Sequence, residues 1–142
     1  FIIGSMVSGR EIGNKSNLGP FSNVRPYSKI SSDVHIGTSV EIKECHIGKG
    51  TKIGHFSYLG DSQLGEKVNI GAGTVTCNFD GTSKYPTFID DNAFIGSGTM
   101  IISPIRIGKN AATGAGSVVT HDVPPGQLVF GNPAKPRETT KN

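Results

Sequence analysis

Aliphatic residues recur at every sixth position of this chain, and that period excludes most ways of folding it. They stand at Ile12, Leu18, Val24, Ile30, Ile36 and Ile42, step by five to Ile47, and continue through Ile53 and Leu59. Another five-residue step leads to Leu64, Ile70 and Thr76, and after an interruption the series resumes at Ile89, Ile95, Ile101, Ile107, Thr113 and Val119. Gly follows at positions 13, 19, 37, 48, 54, 60, 65, 71, 96, 108 and 114. An amphipathic helix needs a period of 3.6 and a half-buried strand a period of 2, so neither explains a sustained six.

The period matches the hexapeptide repeat of left-handed parallel β-helices, in which three hexapeptides close one triangular coil. Each side is a short strand, and its inward aliphatic residue stacks on the equivalent residue one coil away, at a rise of roughly 4.8 Å. The hand comes from the resemblance and not from the spacing, since parallel crossovers are ordinarily right-handed. Composition agrees with a solenoid. Hydrophobic residues make up 35% of 142 and Gly supplies 20, while Trp is absent. A broad globular core needs more apolar mass than this, whereas stacked repeats bury only narrow columns. The expected fold is therefore an all-β, left-handed parallel β-helix with one excursion loop.

That loop is expected at about 77–88, a stretch reading CNFDGTSKYPTF. Ala72 and Ser97 are 25 positions apart, where one coil takes about 18, so roughly seven residues must leave the helix. Asn78, Asp80-Gly81 and Pro86 supply turn chemistry. Beyond Val119 the pattern fades. Residues 1–123 are read as the β-helix domain, and 124–142, which include Gly131-Asn132-Pro133-Ala134-Lys135-Pro136, as a tail that leaves it.

The formal charge of +3 is mild and contains no Lys/Arg run of the kind that binds nucleic acid, so small anions are the simpler partners of the basic excess. Cys45 and Cys77 form no framework, and no CxxC or Cys/His metal spacing occurs. Cys45 takes a position filled elsewhere by Val34, Val40 and Val68, which marks it as core; Met6 and Met100 are expected to fill core gaps. Phe1-Ile2-Ile3-Gly4 lacks the basic and apolar regions of a signal peptide, no stretch is long enough for a transmembrane helix, and a cytoplasmic location is expected.

Stacking the repeats sorts the remaining chemistry by face. Val24, Ile42 and Leu59 begin one face on successive coils, so Arg25 and Lys43 fall one above the other. Like charges that close oppose each other unless an anion lies between them and converts repulsion into a clamp; two diverging, solvated cations are the equal alternative. On the adjacent face, which begins at Ile36, Ile53, Ile70, Ile95 and Thr113, the third positions form the column Thr38, His55, Ala72, Ser97 and Ala115. Small residues there leave a groove for an extended ligand, though a tight coil tolerates small residues in any case. His35, His46 and His121 read as solvated surface residues.

One stretch is more specific than the repeat. Lys52-Ile53-Gly54-His55-Phe56-Ser57-Tyr58-Leu59-Gly60-Asp61, followed by Val68-Asn69-Ile70-Gly71-Ala72-Gly73-Thr74 and Cys77-Asn78-Phe79-Asp80-Gly81, resembles the acetyltransferase domain of the bifunctional glucosamine-1-phosphate acetyltransferase/N-acetylglucosamine-1-phosphate uridyltransferase family. Gly19-Pro20-Phe21 through Arg25-Pro26 and Val40-Glu41-Ile42-Lys43 extend the likeness, which covers roughly 18–123 without a gap across these motifs. The resemblance implies transfer of the acetyl group of acetyl-CoA to the amine of glucosamine-1-phosphate, with no metal, on the route to UDP-N-acetylglucosamine and cell-wall precursors. It makes His55 the general base. Arg25 and Lys43 would hold the phosphate, Tyr58 and Asn69 the sugar, and Lys84 would reach a sugar bound near a neighbouring subunit of a homotrimer. Ala72, Asn78, Phe79, Ser97 and Ala115 would line the coenzyme A arm, with the Ala72 N–H facing the oxyanion. Glu41 would orient His55 or the substrate.

Two departures stand out. Phe79 occupies a position where the family usually has Tyr, and Asn132 one where it commonly has a coenzyme-binding Arg, a part that Lys135 or Arg137 would have to take. No Gly-x-Gly-Thr-Arg-Met nucleotide loop occurs in these residues, so nucleotidyl transfer is not assigned to them. Three other readings compete: an acceptor such as galactosamine-1-phosphate, a zinc hydratase, and a non-catalytic trimerising module. The hydratase needs three converging histidines, and His35, His46 and His55 stand at different positions of their repeats.

Overall fold

The computed structural model describes residue 2, residues 4–8 and residues 11–138. The described chain is built from short strands wound into a left-handed parallel β-helix with three flat faces. Coil after coil, the first face runs through Asn17–Leu18, His35–Thr38, Lys52–His55, Asn69–Ile70, Phe94–Ile95 and Ala112–Thr113. The second runs through Met6–Val7, Asn23–Val24, Glu41–Lys43, Tyr58–Gly60, Val75–Cys77, Met100–Ile102 and Val118–Val119. The third contains Glu11–Ile12, Lys29–Ile30, His46–Ile47, Ser62–Leu64, Thr87–Ile89 and Ile105–Ile107.

Register follows the aliphatic series. Ile36 pairs with Ile53, Ile53 with Ile70, and Ile70 with Ile95; Val24 pairs with Ile42 and Ile42 with Leu59. Each of these side chains is buried in one axial core, and burial of an Ile or Leu stabilises by about 1.5–3 kcal/mol. The two threonines in the series are also inward. Thr76 Oγ1 accepts from the Gly60 N–H at 2.9 Å, and Thr113 Oγ1 accepts from the Gly96 N–H at 3.0 Å, so each hydroxyl is satisfied in the core. Buried Ser22 and Thr51 hydroxyls donate to the carbonyls of Gly37 and Gly65. Gly37 is needed where it stands: a Cβ there would collide with the Gly54 carbonyl of the next coil.

Cys45 is fully buried, its thiol against the carbonyls of Lys43 and Leu59, and burial pushes its pKa up to about 11. Met6 does not fill a core gap. It is 70% exposed on the outer side of its strand while Val7 turns inward, as the two-residue alternation of a strand requires. Met100 likewise lies on the outer side, half-buried.

Two boundaries differ from the sequence reading. The excursion occupies 78–86, since Cys77 still belongs to a second-face strand and Thr87 already begins a third-face one. The chain also does not leave the solenoid after 123. Val123 bridges Ile107, and Leu128–Phe130 adds a parallel strand to the first face with Val129 buried. Lys135–Pro136 then returns antiparallel to it. The apolar series continues there through Val123 and Val129, six apart, without the Gly that marks earlier repeats.

Candidate active site

Two groups of side chains face outward on neighbouring sides of the prism. Lys52–His55 ends the first face at a corner, where Phe56 takes φ 46°, and Tyr58–Gly60 opens the second. His55 is exposed at that corner, its ring centroid 6.3 Å from that of Phe56, and it pairs in register with Thr38. Further along the same edge stand Ala72, Ser97 and Ala115, bound by coil-to-coil backbone hydrogen bonds: Gly73 N–H to His55, Gly98 N–H to Ala72, and Gly116 N–H to Ser97. The glycines at these corners adopt φ of 72°, 70° and 73°, a conformation that suits Gly. Asn69 projects from the first face between Lys52 and Phe94.

The second face carries the charged group. Arg25 and Lys43 occupy equivalent positions on adjacent coils, as the stacking requires. Neither cation is bare. Arg25 pairs with Glu41 at 3.6 Å on the surface. The Lys43 side chain is only 6% exposed, and its ammonium donates to Asp61 Oδ1 at 2.8 Å, with Glu44 3.8 Å away. Burial is the largest single influence and disfavours the Lys43 charge, yet the hydrogen bond and charge of Asp61, with the nearby Glu44 carboxylate, together outweigh it and raise the pKa above the ordinary lysine value. Asp61 shows the reverse: burial works against its charge, while hydrogen bonds from Lys43 and Asn78 hold its carboxyl below the usual value.

Asn78 is buried, and its amide donates to Asp61 Oδ2 at 2.6 Å. A Cβ on Gly60 would lie 2.5 Å from both Asn78 Nδ2 and Tyr58 Oη, so the missing side chain lets Tyr58 fold over toward Asn78. Beyond Asn78 the excursion doubles back as a small hairpin. Phe79 bridges Lys84 antiparallel, and the Asp80 carboxylate accepts from the Thr82 and Ser83 N–H groups and the Tyr85 hydroxyl. Phe79 is 59% exposed. Lys84, exposed at the loop, acts electrostatically on Asp61 of its own chain.

The structure thus brings Arg25, Lys43, Tyr58, Asn78 and Lys84 to one face, and places His55, Asn69, Ala72, Ser97 and Ala115 on the next. Glu41 is engaged by Arg25. Asp61 belongs to the His55 motif without a role implied for it, although its position 18 residues after Lys43 puts it one coil further on. His46 stands on the third face with Glu11 and Lys29 along a groove of about 590 Å³, away from both groups. Among the described residues no helix is long and apolar enough to cross a membrane.

The family model for the bacterial transferase hexapeptide (six repeats) matches residues 44–78 and 86–121. The chain belongs to that family. It is 48% identical over 126 residues to the bifunctional protein GlmU of Nitrosomonas eutropha, across 89% of this chain and 28% of that protein. It is 49% identical over 137 residues to GlmU of Carboxydothermus hydrogenoformans, across 96% of this chain and 30% of that protein. The chain therefore spans less than a third of the length of these relatives. Among solved structures it superimposes with a TM-score of 0.80 and 25% identity on a point mutant of GDP-perosamine N-acetyl transferase from Caulobacter crescentus in complex with CoA and GDP-perosamine. That match covers 89% of this chain and 58% of the other.

Proposed function

We propose that this chain moves the acetyl group of acetyl-CoA to the amine of glucosamine-1-phosphate, giving N-acetylglucosamine-1-phosphate and free coenzyme A. The observation that carries the reading is the pairing of an exposed His55 at the corner with a cation cluster, Arg25, Lys43 and Lys84, around the second face. Identity near one half to GlmU across most of the chain supports it.

The reaction follows from these groups. Arg25 and Lys43 hold the phosphate through charge-assisted hydrogen bonds, while Tyr58 and Asn69 fix the sugar. The amine nitrogen attacks the thioester carbonyl as the His55 imidazole takes its proton, the part an imidazole suits near neutral pH. The carbonyl oxygen becomes an oxyanion beside the Ala72 N–H. Collapse re-forms the carbonyl and breaks the carbon–sulfur bond, and the departing thiolate takes the proton from His55. Ala72, Ser97 and Ala115 leave the edge low enough for the pantetheine arm, with Asn78 and Phe79 at its border. Phe79 offers a ring but no hydroxyl, and Lys135 and Arg137, both exposed, are near the end of that edge for the coenzyme phosphates.

The assembly proposed is a homotrimer working in the cytoplasm. The two groups face different sides of one prism, and a groove between neighbouring prisms sets the first face of one against the second face of the next. Cyclic closure is the common solution for identical subunits that meet head-to-tail.

The deciding experiment is a thiol-release assay with acetyl-CoA against glucosamine and galactosamine, each with and without the 1-phosphate. Glucosamine-1-phosphate should be the best acceptor. Absence of release with all four, from folded protein, overturns the reading; preference for galactosamine-1-phosphate changes the sugar and keeps the chemistry.

A further inference from the structure

Asp61 holds Lys43 and both ends of the excursion loop. Its Oδ1 accepts from the Lys43 ammonium at 2.8 Å and its Oδ2 from the Asn78 amide at 2.6 Å. Its backbone N–H donates to the Lys43 carbonyl at 2.9 Å, and its own carbonyl accepts from the Thr87 N–H at 3.2 Å. Asn78 is the first residue of the excursion and Thr87 the first after it. One residue therefore grips the lysine and both roots of the loop that carries Lys84. Asp61 does so from φ 50°, a region that Asp and Asn enter more readily than most side chains.

We propose that Asp61 is the positioning residue of the phosphate pocket, setting the place of the Lys43 ammonium and the register of the loop that brings Lys84 to it. The inference rests on reading that pocket as the sugar-phosphate site. A free lysine head on a four-carbon stem samples many rotamers and loses that freedom when it binds an anion. Here the freedom is already lost: the stem is buried and the head is held before any phosphate arrives. Glu44, 3.8 Å away on a half-exposed side chain, is too loose to do this. Asp61 touches neither the amine nor the thioester in this scheme, so it acts through Lys43 and the loop.

The test uses Asp61→Asn, Asn78→Asp and the double variant, all with unchanged φ preference at position 61. In Asp61→Asn the new amide faces the Asn78 amide donor to donor, so either Lys43 or Asn78 loses its acceptor. In the double variant the amide introduced at position 61 would accept from Lys43 and donate to the carboxylate introduced at position 78, which restores the pattern of hydrogen bonds. Asp61→Asn should lower kcat/KM for glucosamine-1-phosphate about tenfold, the scale of one charge-assisted hydrogen bond, mainly through KM. Unphosphorylated glucosamine should change by less than about twofold, and the double variant should regain most of the loss. Equal losses on both acceptors, no loss at all, or a folded double variant without recovery would each overturn the proposal. If wild-type protein acetylates no amino sugar, the functional reading has failed. Asp61 is then judged by amine-directed labelling of Lys43 quantified by mass spectrometry. Faster labelling in Asp61→Asn, reversed in the double variant, supports the positioning role, and an unchanged rate refutes it.

Discussion

The Glu41 carboxylate lies 3.6 Å from the Arg25 guanidinium, one coil away on the same face. The family resemblance has Glu41 orient His55 or the substrate; its partner in the structure is a proposed phosphate ligand. Both side chains are nearly half exposed, so the pair is worth little to stability. Glu41→Gln should therefore leave the melting temperature and kcat unchanged and shift KM for glucosamine-1-phosphate by less than about threefold. A large fall in kcat with KM preserved would return Glu41 to the chemistry at His55.

His55→Ala should remove about 10²–10⁴-fold of kcat, the usual contribution of a general base. The side chain is exposed at a corner and its loss opens no core cavity, so the melting curve should stay where it was. Near wild-type kcat at saturating substrates would show that another group takes the amine proton.

Arg25→Ala and Lys43→Ala should both weaken glucosamine-1-phosphate far more than glucosamine. They should differ in stability. Removing Arg25 frees an exposed carboxylate, whereas removing Lys43 strips a partly buried Asp61 of its cation, and an uncompensated buried charge destabilises. Thermal melting should fall in Lys43→Ala and hold in Arg25→Ala. Equal melting temperatures would mean that water replaces Lys43 without difficulty.

Asp61 and Lys43 also predict a pH window for their joint contribution. The Asp61 carboxyl is lowered on folding, so its stabilisation is present above the unfolded carboxylate value and lost as pH falls through the folded one. The Lys43 ammonium is raised, so its stabilisation is present below the unfolded lysine value and lost as pH rises through the folded one. Wild-type protein should exceed Asp61→Asn in stability throughout about pH 5–9, and the difference should shrink below about pH 4. Chemical denaturation of both proteins across that range checks the sign; a difference that grows in acid contradicts it.

Mixing His55→Ala and Lys84→Ala subunits tests the shared site. Each parent should be inactive alone, and reassembled mixed trimers should regain part of the activity, since some interfaces would pair an intact His55 with an intact Lys84. Verified mixed trimers without activity would put both residues in one subunit's site.

Much of this geometry can be counted off the chain, because a six-residue period converts position into place. The stacking of Arg25 on Lys43 and of Thr38 beneath His55 needs only arithmetic once the coils are closed. What counting misses is where long side chains point. That Asn78 turns its amide inward to Asp61 depends on the bare Gly60 beside it. The extra coil around Val129 is hidden for another reason: Phe130 follows it where Leu18, Ile36, Ile53, Ile70, Ile95 and Thr113 on the same face are each followed by Gly, and its inward residue is fixed by pairing with Thr113.

The return of Lys135–Pro136 against Leu128–Phe130 reverses the direction of the first face at its outer edge. Every other neighbour pair among the described strands is parallel, and a parallel solenoid offers at its rim the same template that added each coil before. Such a rim invites further copies, in the manner of a growing filament. An antiparallel edge strand breaks the template, and Pro136 withholds one of the N–H donors that a newcomer would need. The hairpin therefore leaves this edge of the first face without the parallel template on which each earlier coil was laid.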